Sequence, residues 1–301
     1  LLGTGVYFCK LEVSFPIQLP VPVIINYSRN EKKFPYKLNF CYNGDNDTVP
    51  EAESAGIAVK NIRRQIIMRC IGIIGAMDDE VAGLKEYMQD VKVTSRASMD
   101  FYEGILEGRR AVVVRSGIGK VNAAVCAQIL VDEFQAEVII NTGIAGSLNN
   151  EINIGDIVVS TDLIHHDMNA VAFGYPVGQI PQMDVFSFQG DEVLRKVAVQ
   201  ACREVNPDIQ VFEGRIASGD QFVADQGVKD FIVKEFGAYA VEMEGAAIAQ
   251  AAYLNHVPFL VIRAISDKAD GSAHVDYPAF EQLAIEHSVK LTREILKNIQ
   301  G

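Results

Sequence analysis

The chain is poor in cysteine: of 301 residues only Cys9, Cys41, Cys70, Cys126 and Cys202 are cysteines, and no two form a CxxC pair. That removes the usual spacing of zinc and dithiol sites. The three after residue 68 sit in apolar runs, where a free thiol packs as a small hydrophobe, so a reducing, cytoplasmic setting is expected. Long apolar runs are also missing. No stretch approaches the roughly 18 uninterrupted apolar residues of a membrane span, and no basic-then-apolar leader with a small-residue cleavage site opens the chain, so neither anchoring nor export is expected. Basic residues are outnumbered, 27 against 39, for a formal charge of −12. Such a surface repels phosphate backbones and anionic lipid, which excludes non-specific nucleic-acid or membrane binding and leaves a small molecule as the expected partner. What is there, 49% apolar and 22% charged residues, is the composition of a globular protein.

The first 67 residues differ from the rest. Pro-rich and Asn/Asp-rich pieces (PIQLPVPVII, CYNGDNDTVPEAESAG) carry no sustained period, whereas a regular βα rhythm begins near Cys70. All seven methionines lie at or after Met68, which makes Met68 the candidate natural start. Arg63-Arg64, encodable as a purine-rich ribosome-binding sequence, precedes it closely. Residues 1–67 are therefore an irregular extension, read either as translated leader or as an arm that packs on the domain or a partner. The extension holds eight basic and six acidic residues, so residues 68–301 keep 19 against 33, a net of −14.

Within that domain, short Ile/Val-rich strands are expected at Cys70–Gly75, Ala111–Ser116, Val138–Thr142, Asp156–Thr161, Gly214–Ser218 and Phe259–Ile265. Helices are expected at Asp78–Gln89, Lys120–Phe134, Asp191–Val205, Gln226–Glu235, Glu244–Asn255 and Tyr277–Ile299, the last with an apolar face of Phe280, Leu283, Ala284, His287, Leu291 and Ile295. The alternation reads as one α/β domain, a sheet flanked by helices. Strands ending in Gly75-Ala76, Ser116-Gly117, Thr142-Gly143 and Ser266-Asp267 should converge on one crevice, because ligands of such sheets bind at the strands' carboxyl ends.

Acids mark three of these junctions. Glu80 follows Asp78-Asp79 in a first helical turn, where acids complement the helix dipole whether or not they do chemistry. Glu242 and Glu244 flank Met243, and residues two apart on a strand share a face, so both carboxylates can look into one cavity. Asp267 ends the strand PFLVIRAISD beside Ser266, with Arg263 earlier on it; a structural Arg–Asp pair and a site role both remain open. His165-His166 has no third ligand at metal spacing, and IGIIGAM lacks the full dinucleotide pattern, so neither metal nor cofactor is expected.

In order along the chain, IGIIGAMDDEV (71–81), SGIGKVNAA (116–124), INTGIAGSL (140–148), GDIVVS (155–160), FGYPVGQIP (173–181), SGDQF (218–222), VEMEGAAIA (241–249) and RAISDKAD (263–270) resemble the methylthioadenosine/S-adenosylhomocysteine nucleosidases. The resemblance implies a single-domain nucleoside phosphorylase type fold, with a mixed central sheet flanked by helices, usually dimeric. It implies cleavage of the N-glycosidic bond of 5′-methylthioadenosine, S-adenosylhomocysteine and 5′-deoxyadenosine, releasing adenine. Carried over, Glu80 is the general base for water, Asp267 the acid toward adenine N7, and Glu244 the acceptor for ribose hydroxyls. Met243 packs on the ribose, Phe222 on the adenine, and the Val223 backbone reads the base edge, with backbone contacts from Ala145 and Gly146. Arg263 helps hold the water and its base, and Ser266 orients Asp267. Met77, Ile118 and Tyr277 line the apolar 5′ pocket, with Phe173, Tyr175 and Pro181 near it, some lent by a partner subunit. Two departures stand out: Ile144 where many relatives carry Ser, and Tyr277 where Phe is common, which admits a hydrogen bond at the 5′ end.

Bond cleavage leaves positive charge on the ribosyl ring and negative charge on adenine, so an acid on one side and a base on the other suit the reaction. Asp267 must then hold its proton near neutral pH, which requires an enclosed, mainly apolar pocket. A purine nucleoside phosphorylase of the same fold is disfavoured, because Asp78, Asp79 and Glu80 would repel phosphate. A futalosine-type hydrolase and a catalytically silent nucleoside-binding module are the other readings.

Overall fold

A computed structural model of the chain describes residues 70–299, together with a small antiparallel ladder that pairs Ile24–Ile25 with Phe40–Cys41. The chain divides into two units, Leu1–Lys60 and Asn61–Gly301. Met68 and the expected boundary at 67/68 lie outside the described residues.

In the larger unit the elements run β1 (Cys70–Gly75), α1 (Asp78–Glu86), β2 (Gln89–Arg96), β3 (Met99–Leu106), β4 (Arg109–Arg115), α2 (Lys120–Asp132), β5 (Ala136–Ser147) and β6 (Ile157–His165). They continue with β7 (Phe188–Gln189), α3 (Glu192–Val205), β8 (Val211–Ser218), α4 (Gln226–Phe236), β9 (Ala240–Glu242), α5 (Gly245–Leu254), β10 (Phe259–Asp267) and α6 (Ala273–Asn298). Hydrogen-bonded neighbours follow the order β9-β8-β6-β10-β5-β1-β4-β3-β2, with β7 added on β6. The sheet is mixed: β1 is parallel to β4 and β5, β10 is parallel to β5 but antiparallel to β6, and β2-β3-β4 form an antiparallel wing.

Consecutive strand residues feed opposite cores, which is why these strands are apolar throughout rather than alternating. Ile74, Ile139 and Val261 pack with Cys126 and Leu130 of α2 and Ile248 of α5. Their chain neighbours Ile73, Ile140 and Ile262 pack with Leu84 of α1, Leu194 of α3 and Leu291 of α6. The thiols Cys70, Cys126 and Cys202 are free and buried, and burial raises all three, Cys70 and Cys202 to about 11.

Three expectations need correction. The β2-β3 hairpin was not anticipated; its strands fill the gap left between residues 89 and 111. α6 starts at Ala273, four residues before Tyr277. Its buried face is also rotated from the expected one: Ala284, Leu291 and Ile295 are inside, joined by Ile285, Ser288 and Thr292, whereas Phe280 and Leu283 are exposed. The hydroxyls of Ser288 and Thr292 explain the polar residues on that face, because they meet Thr142 Oγ1 of β5 at 2.5 and 3.0 Å and satisfy one another in the core.

β5 shapes the site. Its first part lies between β1 and β10, and its last residues swing over so that Gly146 and Ser147 pair antiparallel with Val241 and Ala240 of β9. Pairings then run β9-β8-β6-β10-β5 and back to β9, and this half of the sheet rolls around the carboxyl ends of β1, β5 and β10.

Candidate active site

A cavity of about 530 Å³ opens where those strands end, lined along its walls by Ala76, Ile144, Val241 and Met243 and at its polar points by Glu80, Glu244, Ser266 and Asp267. Nearly all the residues expected from sequence meet there, including Met77, Ile118, Ala145, Gly146, Phe222, Val223 and Tyr277. Of the four strand ends named from sequence, Gly75-Ala76 and Ser266-Asp267 reach the cavity, β5 reaches it just past Thr142-Gly143 at Ile144, and Ser116-Gly117 does not line it.

Glu80 is the third residue of α1, and its carboxylate folds back over the helix N-terminus. Oε2 accepts from the backbone N–H of Ala76 (2.6 Å) and Met77 (3.0 Å), and Oε1 accepts from that of Ile144 (3.1 Å). The last contact uses main chain, so the departure from Ser to Ile at 144 leaves it in place. β5 can approach because residue 143 is glycine: a Cβ there would stand 2.5 Å from Glu80 Oε1. Glu80 is 5% exposed, and burial pushes its carboxyl above the ordinary range against the pull of Arg263 and the three N–H groups.

Asp267 sits where β10 bulges against β5, between Ile265 and Asp267. Oδ1 accepts from Ala269 N–H at 2.7 Å, and the Ser266 hydroxyl lies 2.9 Å from Oδ2, also within 3.3 Å of the Ala145 carbonyl. A Cβ at 146 would stand 2.9 Å from Oδ1, so glycine is again what admits the carboxylate. Asp267 is 2% exposed, and burial raises its carboxyl.

Glu244 is the N-cap of α5 and reaches across to the turn before α2, where Oε1 accepts from Gly119 N–H at 2.8 Å. Burial, and then the neighbouring charge of Glu242, raise it to about 8. Glu242 has the opposite fate. Its carboxylate accepts from the Ser218 hydroxyl, from Glu244 and Gly245 N–H at 3.1 and 2.7 Å, and from Arg263 Nη2 at 2.5 Å. Burial alone would raise it; the Arg263 charge, the Ser218 hydroxyl and the Gly245 N–H outweigh that and hold it below the usual range.

Arg263 therefore pairs with Glu242, not with Asp267. Its Nη2 also meets Asn141 Oδ1 at 2.5 Å, Nη1 donates to the Ile262 carbonyl at 2.9 Å, and its buried Nε has no protein partner. It does not line the cavity, although its charge acts on Glu80. Sequence reading placed Glu242 beside the cavity but missed this clamp; the buried Arg on β10 was the available signal, since such a charge demands a carboxylate.

Phe173, Tyr175 and Pro181 do not line the cavity of this chain. Their segment leaves β6 and returns to pair as β7 with Asp162 and Leu163, so it follows the edge of β6, with Phe173 83% exposed. Gln221 joins the lining unexpectedly, on the loop that carries Phe222 and Val223. His165 and His166 are buried behind this wall: His165 Nε2 lies 3.0 Å from Gln250 Oε1, and a Cβ on Gly219 would touch His166.

Chemically the arrangement offers two buried carboxyls with raised proton affinity and no cationic hydrogen-bond partner, Glu80 and Asp267, and a third at Glu244, around one cavity. The phosphorylase superfamily model matches residues 70–297. A 5′-methylthioadenosine/S-adenosylhomocysteine nucleosidase of Anoxybacillus flavithermus is 44% identical over 230 residues, 76% of this chain and 98% of that protein. The Neisseria meningitidis enzyme of the same name, solved with methylthio-immucillin-A, superposes with a TM-score of 0.74 at 41% identity over 77% of this chain and all of the other. A futalosine hydrolase of Helicobacter pylori has the same TM-score, 0.74, at 33% identity, covering 77% of this chain and 99% of its own.

Proposed function

The chain belongs to the phosphorylase superfamily and, within it, to the 5′-methylthioadenosine/S-adenosylhomocysteine nucleosidases, and from that premise we propose how its cavity residues divide the work. The protein is an N-glycosyl hydrolase that releases adenine from 5′-methylthioadenosine and S-adenosylhomocysteine. 5′-Deoxyadenosine is proposed as a third substrate.

In the proposed mechanism Asp267 carries a proton to adenine N7 as the C1′–N9 bond breaks and its electron pair moves onto the base. Water adds to C1′ on the opposite face and gives its proton to Glu80. Burial suits both roles: it raises the proton affinity of the Asp267 carboxyl and makes ionised Glu80 a stronger base. Glu244 accepts the ribose hydroxyls over Met243, Phe222 packs on the adenine, and Val223, Ala145 and Gly146 present main chain to the base. Ser266 orients Asp267. Arg263, held by Glu242, lends charge to the base side through Glu80. Met77, Ile118 and Tyr277 take the 5′ substituent.

The observation that carries this reading is the convergence of the buried carboxyls of Glu80, Glu244 and Asp267 on one cavity. Adenine release from 5′-methylthioadenosine in phosphate-free buffer tests it. Turnover that requires phosphate would make the protein a phosphorylase, turnover of futalosine alone would make it a futalosine-type hydrolase, and no turnover at all would leave a nucleoside-binding module.

Finer proposals follow. A homodimer would cover Val121, Phe173 and Leu254, 75%, 83% and 60% exposed, and bring residues 173–181 toward the 5′ end of the neighbouring cavity. A cytoplasmic setting suits the three buried free thiols, and recycling of methylthioadenosine for methionine salvage suits the activity. Residues 1–67 are proposed as an extension outside the nucleosidase domain, 68–301.

A further inference from the structure

We infer that Lys229 is a positioning residue for the acid step: from outside the cavity it holds the peptide whose N–H bonds the Asp267 carboxyl. This rests on the nucleosidase reading above, in which Asp267 gives its proton to adenine N7. Just past the end of β10, the peptide unit between Lys268 and Ala269 is gripped on both sides. Its N–H, on Ala269, donates to Asp267 Oδ1 at 2.7 Å, and its C=O, on Lys268, accepts from Lys229 Nζ at 2.5 Å. A peptide unit is planar, so an ammonium that fixes the carbonyl fixes the direction of the N–H as well. The Lys268 side chain adds a second tether by donating to the Ile152 carbonyl.

The segment needs holding. Ala269 has a φ of 50°, in the left-handed region that a residue with a Cβ occupies only where its surroundings impose it, and it is buried in a cluster with Val223, Ile232 and Phe236. Ile232 and Phe236 lie on α4, the helix that carries Lys229, so one helix supplies both the packing and the ammonium. Lys229 is itself only 6% exposed and does not line the cavity. Burial lowers its proton affinity, and the Asp270 carboxylate at 3.9 Å opposes that. Burying an ammonium merely to brace a loop is unfavourable. It has a use if charge matters at the other side of the peptide. As Asp267 loses its proton, negative charge grows on the carboxyl that Ala269 N–H bonds, and a hydrogen bond to the carbonyl of the same peptide makes that N–H a stronger donor. The contact is therefore stronger in the transition state than in the ground state, and it acts on kcat rather than on KM.

The test is a double-mutant cycle, read as adenine release from 5′-methylthioadenosine by the full chain, Lys229→Met, Asp267→Asn and the two substitutions together. Lys229→Met should lower kcat about 10-fold, less than the roughly 10²-fold or more that follows removal of a direct donor to a developing charge. KM should stay within about twofold, because Lys229 touches no substrate. In the Asp267→Asn background, where no carboxyl ionises, the same substitution should change kcat by less than about twofold. The denaturant midpoint of Lys229→Met should stay near that of the native chain, because release of a buried charge offsets the lost hydrogen bond. An unaltered kcat in Lys229→Met, an equal fall in both backgrounds, or a drop in midpoint that accounts for the lost turnover overturns the proposal and leaves the hydrolase in place. Failure of the native chain to release adenine at all overturns the nucleosidase reading itself, and the role of Lys229 with it.

Discussion

Two parts of the cavity lining, the Arg263 layer and the strand ends in front of it, bury carboxylates in opposite ways. In the Arg263 layer, Glu242, which itself lines the cavity, is compensated by a full positive charge, Arg263 at 2.5 Å, and its proton affinity is lowered. In front, Glu80 and Asp267 are held by backbone N–H groups and a serine hydroxyl with no cation bonded to them, and burial raises both. Similar burial thus yields a carboxylate held ionised in one place and, in the other, the carboxyls proposed to transfer protons. What differs is the partner: a guanidinium fixes ionisation, whereas dipoles fix only position.

The contrast breaks most visibly if Glu242 is neutralised. Glu242→Gln leaves Arg263 buried with its charge unmatched, a situation that costs ~3–5 kcal/mol. A large fall in the denaturant midpoint is expected, and a midpoint near that of the native chain would show that the clamp is not what holds this layer. Next in size, Asp267→Asn should do the reverse. The amide can accept from Ala269 N–H and donate to the Ser266 hydroxyl, so stability should change by less than ~1 kcal/mol. The proton for adenine is gone, however, and kcat should fall by roughly 10²-fold or more, as it should for Glu80→Gln. Near-normal turnover in either would remove that residue's role.

Acidity sharpens the same comparison. Glu244 is raised to about 8, so the folded chain keeps a proton that the unfolded chain, with a carboxyl near 4.5, gives up. Its stabilising contribution is complete below the unfolded value and is lost as pH rises through the folded one. Between about pH 6 and 7 that loss is ~1.4 kcal/mol, and Glu244→Gln should flatten it. Glu242 has the opposite sign: its contribution is present above the unfolded value and is lost as pH falls through its depressed one. A stability profile in which Glu244→Gln leaves the slope between neutrality and mild acid untouched would refute the assignment.

Much of this was legible in sequence because strands and site share their signals: apolar runs ending in Gly, Ser or Asp mark both β1, β5 and β10 and the cavity they surround. The β2-β3 hairpin was missed for a local reason. Its turn has positive φ at Ala97 and Ser98, 48° and 61°, without the Asn-Gly or Asp-Gly pair that announces such turns. The Glu242–Arg263 clamp was missed because it joins residues 21 apart on strands that are not neighbours in the sheet. Phe173, Tyr175 and Pro181 came from resemblance alone, and nothing in their spacing places them on this chain's own cavity.

The smallest predicted effect probes how the front carboxylates are held. If dipoles of the main chain position Glu80, the side chain at 144 should matter little to catalysis even though it lines the cavity. Ile144→Ser puts a small hydroxyl in place of the apolar side chain while leaving the N–H that bonds Glu80 Oε1 at 3.1 Å. Ile144 is 8% exposed, so the exchange removes buried apolar surface and should lower stability by ~1–3 kcal/mol. With the base still held, kcat for 5′-methylthioadenosine should move by less than about threefold, a change below ~0.7 kcal/mol in the barrier. A fall near that of Glu80→Gln would mean that the Ile144 side chain, and not its amide, sets the geometry of the base. The distinction between charge-fixed and dipole-fixed carboxylates would then fail at the residue where it matters most.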